Sequence, residues 1–252
     1  MGLMYSQKDD KLITRSELAF LDTPPPMGPH HKPYPFDEYV NDVSEALIAE
    51  GLRISNEEFA VTKDENRMFG MMEVSPLEGQ LITADDWKVV VGLRGSHDQR
   101  IPRGLVIGTQ VMVCSNLCFH GNITNMSTKQ TTNIAQRLPQ LLRDAVHQIP
   151  MMSEYQEEVF DKYRNQRIND AEANDVLVEM YREGAFSSPQ LTTAIKEFYE
   201  PTFHEHMEGG RTLWTLFNAS TQALKPTGAT SNMHLVHDRS RKVSDHLELL
   251  VA

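Results

Sequence analysis

The hydrophobic pattern of this chain changes period near Gly121, and that change limits the architectures open to it. Upstream, apolar residues come in short β-branched or alternating runs, as strands require; downstream they recur every three or four residues, as amphipathic helices require. Arg53 to Thr62 and Met68 to Val74 read as two strands joined by the polar turn Lys63-Asp64-Glu65-Asn66-Arg67, a hairpin. Lys88 to Leu93 is a β-branched strand core, and Leu105 to Val113 is a further strand after a loop bracketed by Gly95, Pro102 and Gly104. One helix precedes them, with Asp37 as N-cap, Tyr39, Val40, Val43, Leu47 and Ile48 on one side and Gly51 as its stop. Past Gly121, Ile134, Leu138, Leu141, Leu142, Ala145 and Val146 fall at helical spacing, with Pro139 among them. Ser153 to Arg167, Glu172 to Glu183, Pro189 to Tyr199 and Arg211 to Leu224 continue the helical pattern, and Ser188-Pro189 marks a helix start. Strands first and helices second predict an α+β protein, an antiparallel sheet from the N-terminal half packed against a helical C-terminal half.

Residues 1–36 read as an extended arm, with six prolines and His30 and His31 between residues 22 and 36. Residues 37–150 form the α+β core, 151–226 a helical region completing the same domain, and 227–252 a polar tail in which only Leu247 to Val251 could dock. A chain of 252 residues can bury a core without disulfides or structural metals. Met1 to Leu12 lacks the basic-then-apolar order of a signal peptide, and no run approaches the roughly 18 apolar residues of a membrane span. Two cysteines, Cys114 and Cys118, beside thirteen methionines fit a reducing compartment, so a cytoplasmic protein is expected.

The net charge of -11 argues against a protein that coats nucleic acid over its whole surface, yet the charges are segregated. From Trp87 to Gln148 there are seven bases, Lys88, Arg94, Arg100, Arg103, Lys129, Arg137 and Arg143, against Asp98 and Asp144, which makes +5; the remaining residues carry -16. A cationic middle with acidic flanks reads either as a core segment that needs few acids or as an anion-binding surface that confines a phosphate backbone to one groove. Within it, Thr124, Asn125, Ser127, Thr128, Lys129, Gln130, Thr131, Thr132 and Asn133 crowd the entrance of a helix, where hydroxyls and amides can cap free N–H groups or donate to phosphate oxygens. Trp87 and Phe119 are the only aromatics of the cationic stretch, too few for a base-stacking platform.

His97 and Asp98 follow a strand and are the candidate catalytic pair. Neighbouring strand residues point to opposite faces, so only a turn at Gly95 could bring them together as an acid/base dyad. Their alternative is bonding to loop backbone. Cys114, Cys118 and His120 resemble soft metal ligands, but a continuous strand would hold the two sulfurs about 13 Å apart, far beyond a shared zinc ion. His204 and His206 do not share a helical face, and His234, His237 and Asp238 form a further polar group. No Walker loop, dinucleotide fingerprint, zinc-protease helix or nucleophile elbow is present, so neither a metal nor a cofactor is expected.

Arg94-Gly95-Ser96-His97-Asp98, then Gly104 to Gly108, then Val113-Cys114-Ser115-Asn116-Leu117 with Phe119 and Gly121, resemble the core of the uncharacterised phage/plasmid-like protein family, a domain-of-unknown-function group. Leu213-Trp214, Phe217-Asn218-Ala219 and Thr221 are similar to that family's C-terminal motif, with Gly95 where asparagine is usual and Gln222 where glutamate is expected. The resemblance covers about residues 85 to 224 and implies a phage, prophage or plasmid origin. The order of antiparallel hairpins, cationic strip and long helix also resembles the single-strand annealing proteins of phage recombination, which form rings.

The expected function is a non-enzymatic phage or plasmid protein that binds single-stranded nucleic acid in replication or recombination, as an oligomer. Lys88, Arg94, Arg100, Arg103, Lys129 and Arg137 would hold phosphates, with Ser127 and Thr128 donating hydrogen bonds. Two alternatives stay open: an enzyme using His97 and Asp98 on a phosphate-bearing substrate, and a protein that docks on a host factor such as a defence system through its acidic helical half.

Overall fold

The computed structural model describes residues 11–76, 87–111, 116–119, 126–203, 210–225 and 233–251. Its strands are β1 (Lys11–Ile13), β2 (Leu52–Val61), β3 (Arg67–Pro76), β4 (Trp87–Ser96), β5 (Arg103–Val111), β6 (Asn116–Phe119) and β7 (Met126–Thr128). Its helices are α1 (Arg15–Leu18), α2 (Phe36–Ala49), α3 (Ile134–Val146), α4 (Ile149–Asn165), α5 (Asp170–Arg182), α6 (Ser188–Tyr199), α7 (Leu213–Ala223) and α8 (Met233–Leu249). The sheet order is β1-β2-β3-β4-β5-β6, with β7 also on β5, and the α+β class follows. β1 with β2, β2 with β3, β3 with β4 and β5 with β7 pair antiparallel.

The chain divides into two compact units, the first made of Met1–Thr83, Lys88–Gly108 and Asn122–Met151, the second of Ala84–Trp87, Thr109–Gly121 and Met152–Ala252. In the first, the β2–β3 hairpin closes through Thr62 N–H to the Arg67 carbonyl (3.0 Å), with Glu65 at φ 55° in the turn. Asp64 accepts from the Thr62 hydroxyl (2.6 Å) and the Asn66 amide, and these bonds hold its carboxyl down at about 2. Gly70 leaves room for the Phe59 ring across the ladder, where a Cβ would come within 2.7 Å of a ring carbon. α2 lies against β2 and α3, burying Tyr39, Val40, Val43 and Leu47, while α3 buries Ile134, Leu138 and Leu142. α2 starts at Phe36 with Pro35 as an N-cap that offers no side-chain bond, one residue ahead of the expected Asp37 start, and ends where Gly51 takes φ 73°.

Residues placed in the extended arm include β1 and α1, the latter capped by a reciprocal box between Thr14 and Glu17. Arg15 of α1 donates to Glu57 of β2 at 2.5 and 2.8 Å, beside an open groove of about 730 Å³ lined by Ile13, Arg15, Glu57 and Phe59.

In the second unit, α7 touches α6, α8 and β6. Phe160 sits at the centre of an aromatic cluster, 5.7 Å from Trp87, 4.8 Å from Trp214 and 5.2 Å from Phe217 by ring centroids, and the Trp87 indole N–H donates to Glu157 at 2.5 Å. α5 is capped by Asn169, which accepts from the Ala171 and Glu172 amides at 3.0 Å. α6 is capped by Ser187 rather than Ser188, because the Gln190 side chain reaches back to the Ser187 N–H at 3.0 Å. The segment expected as a polar tail is helix from Met233 to Leu249, and Val243 and Leu247 are buried there beside Ser240 and Ser244.

Candidate nucleic-acid interface

The site residues all belong to the first unit, and the loop between β4 and β5 places the first of them. Ser96 N–H donates to the Ile101 carbonyl at 3.0 Å and the Ser96 hydroxyl accepts the Ile101 N–H at 2.8 Å, a tight turn with Gln99 at φ 61°. This turn separates His97 from Asp98. The His97 ring goes inward, 1% exposed, and packs 4.1 Å from the Phe36 ring. Asp98 goes outward, accepting from Arg67 at 3.1 Å and from the Arg100 backbone N–H at 3.1 Å. Among the described residues no hydrogen bond joins the two. Burial first, then the electrostatic interactions with Arg103 and His31, push the His97 imidazole down to about 4, so it is neutral at pH 7. A dyad for acid/base catalysis is not formed.

Five of the six expected phosphate-binding cations fall into three classes. Lys88 is ion-paired to Glu73, which also accepts from the Ser55 hydroxyl at 2.9 Å, and Arg100 lies 3.6 Å from Asp98. These two are partly neutralised. Arg103 is 0% exposed, with its guanidinium carbon 4.4 Å from the Phe36 ring centroid and 5.5 Å from that of Tyr39. Its Nη2 donates to the Tyr34 carbonyl and to Gln130 Oε1, and burial pushes its pKa down to about 10. Arg103 therefore touches no solvent-borne phosphate in this conformation, and the same holds for the buried Thr128. Ser127, Lys129 and Arg137 are exposed, and Lys129 and Arg137 have no ion-pair partner among the described residues.

The sorting has a simple cause. β5 and β7 pair with Arg103 opposite Thr128 and Gly104 opposite Ser127, and opposite residues share a face. Arg103 and Thr128 therefore turn inward together, while Ser127, and Lys129 two residues on, take the open side. Gly104, lacking a side chain, lets the half-buried Arg94 lie across it; a Cβ there would meet Arg94 Nε at 2.9 Å. Arg94 thus borders the face that carries Ser127. Next comes α3, whose Asn133 N-cap makes no side-chain bond and whose first turn has no acid, with Thr132, Asn133, Gln136 and Arg137 exposed. Of the strip expected from residue 88 to residue 137, Ser127, Lys129 and Arg137 are exposed and Arg94 is half-buried.

Sequence reasoning missed what lies beneath this face. Gln130 is buried, donates from Nε2 to the Ser96 carbonyl, accepts the Tyr34 N–H at 2.8 Å and touches Arg103. The end of the proline-rich segment is docked against it: Lys32 N–H donates to the Gln130 carbonyl at 3.1 Å, and His31 bridges Thr131. The aromatic pair Tyr34 and Phe36 at the end of a proline run was the available signal. Of the other candidates, Cys114, His120, Thr124, Asn125, His204 and His206 lie outside the described residues, as do the side chains of Cys118, His234 and His237. Among the described residues no group of three His, Cys, Asp or Glu side chains could hold a metal ion, and no helix is long and apolar enough to cross a membrane. No family model matches the chain, and neither a curated protein nor a solved structure does.

Proposed function

We propose that this protein binds single-stranded nucleic acid along the face formed by Ser127 and Lys129 beside β7 and by Arg137 on α3, with Arg94 at its border. The observation that carries the reading is that Lys129 and Arg137 are exposed without carboxylate partners among the described residues, in a chain whose flanks are strongly acidic. Such a face attracts a phosphate backbone locally while the remainder repels it, so a narrow single strand is the polyanion it accommodates at least electrostatic cost. Ser127 supplies an exposed hydroxyl donor two residues before Lys129, and the first turn of α3 has no acid to oppose an anion. The proposal extends to a role in phage or plasmid replication or recombination, with an annealing-like, oligomeric mode of action. The burial of His97 away from Asp98 removes the support for the enzymatic alternative.

Fluorescence anisotropy with a labelled oligothymidylate over a salt series tests this. Three neutralised phosphates give a log–log slope near -2, from about -0.7 per phosphate for single strands. Lys129→Glu with Arg137→Glu should abolish binding at moderate salt. Binding that ignores salt, or survives that double substitution unchanged, refutes the reading.

A further inference from the structure

Arg103 is the most unusual group in the first unit. A guanidinium has five N–H donors, and only those on Nη2 find acceptors; Nε and both hydrogens of Nη1 have none among the described residues. Both acceptors are neutral, the Tyr34 carbonyl and the Gln130 amide oxygen, and no carboxylate accepts from it among the described residues. Two more buried donors or acceptors share its surroundings without partners, Nδ1 of His97 and Nε2 of His31. Buried cations persist when a negative group compensates them, and this one faces only dipoles and the Phe36 and Tyr39 rings.

The segment that covers Arg103 is anchored at one end only, where His31, Pro33, Tyr34 and Phe36 are buried. Residues 22–30 of the proline-rich segment are mostly exposed, and its prolines have no N–H to give. Beyond that burial and its own internal turn, its polar fastenings include the Lys32 and Tyr34 amides on Gln130, the His31–Thr131 bridge, the Tyr34 carbonyl on Arg103 and the Tyr34 hydroxyl on Asp42 at 2.7 Å. Gln130, the anchor, directly follows Lys129 of the open face.

We propose that Arg103 is a second phosphate site, closed by the proline-rich segment, which gives way when a nucleic-acid backbone occupies the neighbouring face. This rests on the proposed function and adds its regulation. A phosphate oxygen would take the place of the Tyr34 carbonyl on Nη2 and engage the idle Nε and Nη1 donors, so that a neutral stand-in is exchanged for an anion. The closed state keeps Arg103 from binding anions indiscriminately, and the gain in contacts on opening makes tight binding conditional on displacing the segment.

Two measurements on the full chain test it. In the unmodified protein, saturating oligothymidylate should speed hydrogen exchange at the Lys32 and Tyr34 amides; exchange that is unchanged or slowed overturns the proposal. In the variant His31→Ala/Asp42→Ala, which loosens the segment, oligothymidylate should bind several-fold more tightly with an unchanged salt slope, because less free energy goes into opening the site. Adding Arg103→Met to that variant should remove the gain, and Arg103→Met alone should weaken binding several-fold and flatten the salt slope by about 0.7, one fewer phosphate. A gain that persists without Arg103, or no gain at all, overturns the closed site. Loss of salt-dependent binding by the unmodified protein instead overturns the underlying function, and the two failures are distinguishable.

Discussion

Gly95→Ala isolates the packing that buries Arg103. A Cβ on Gly95 would lie 2.7 Å from Arg103 Cδ and 3.1 Å from Cζ, with Nη1 closer still. Carbon atoms in contact sit at about 3.5–4.0 Å, so the side chain must yield. It has nowhere to go, being 0% exposed with the Phe36 ring 4.4 Å away on the guanidinium. Overpacking of this kind costs about 1–3 kcal/mol, and a slide that gives up one hydrogen bond from a charged donor adds about 1.5–3 kcal/mol. The expected destabilisation is about 3 kcal/mol, or roughly 6–12 °C in melting temperature for a chain this long. Scanning calorimetry of Gly95→Ala, with Gly28→Ala as control because nothing lies within 4 Å of a Cβ at Gly28, reads it directly. Arg103→Met in the Gly95→Ala background should recover at least half of the loss, since the slimmer chain clears the added methyl. A Gly95→Ala protein as stable as the control, or a penalty that Arg103→Met leaves untouched, refutes the packing described for this site.

Stability should also follow the His97 proton. Its imidazole titrates near 4 when folded against 6.5 as the ordinary value, so protonation favours the unfolded chain; the stabilisation is complete above about 6.5 and is lost as pH falls towards 4. Urea unfolding between pH 7 and pH 4 should show a loss approaching about 3 kcal/mol that His97→Gln flattens, and an identical pH profile for both proteins would contradict it. Tyr39→Phe removes a buried hydroxyl that donates to the Gly104 carbonyl at 2.8 Å and should cost about 1–2 kcal/mol in urea titration. Asn169→Ala removes the acceptor for two amides of α5 and should cost about 1 kcal/mol, read as faster hydrogen exchange in the first turn of that helix.

Where burial follows chain period, the fold was open to reading in the sequence. The α2 stripe and its Gly51 stop, the polar turn of the β2–β3 hairpin and the β-branched run of β4 are local signals, and each appears within a residue or two of its expected place. α8 was not legible because Ser240 and Ser244 fill its buried side together with Val243 and Leu247, and small hydroxyl residues register as polar in a sequence pattern. The start of α6 moved by one residue because two adjacent serines compete for the cap, and the Gln190 side chain decides between them.

The candidate site was legible in composition but not in direction. A sum of charges over a segment does not say which side chains face water. The period of two shows only along β7 and the residues after it, where Ser127 and Lys129 are exposed between the buried Met126, Thr128 and Gln130; on β5 every residue from Arg103 to Gln110 is buried and no alternation marks Arg103. The ion pairs Lys88–Glu73 and Arg67–Asp98 join residues 15 and 31 positions apart, and only the strand register brings them together. Docking of the proline-rich segment on Gln130 spans 96 positions between Tyr34 and Gln130; the aromatics Tyr34 and Phe36 at the end of the proline run signal that it packs, but not against what.

Photocrosslinking of an oligothymidylate carrying 4-thiothymidine, followed by peptide mapping, tests most directly whether nucleic acid lies on this face. The account predicts crosslinks concentrated in peptides covering residues 126–143, diminished by Lys129→Glu with Arg137→Glu. Crosslinks that fall instead in the acidic helices between residues 149 and 199, or that persist undiminished in the double variant, would contradict it.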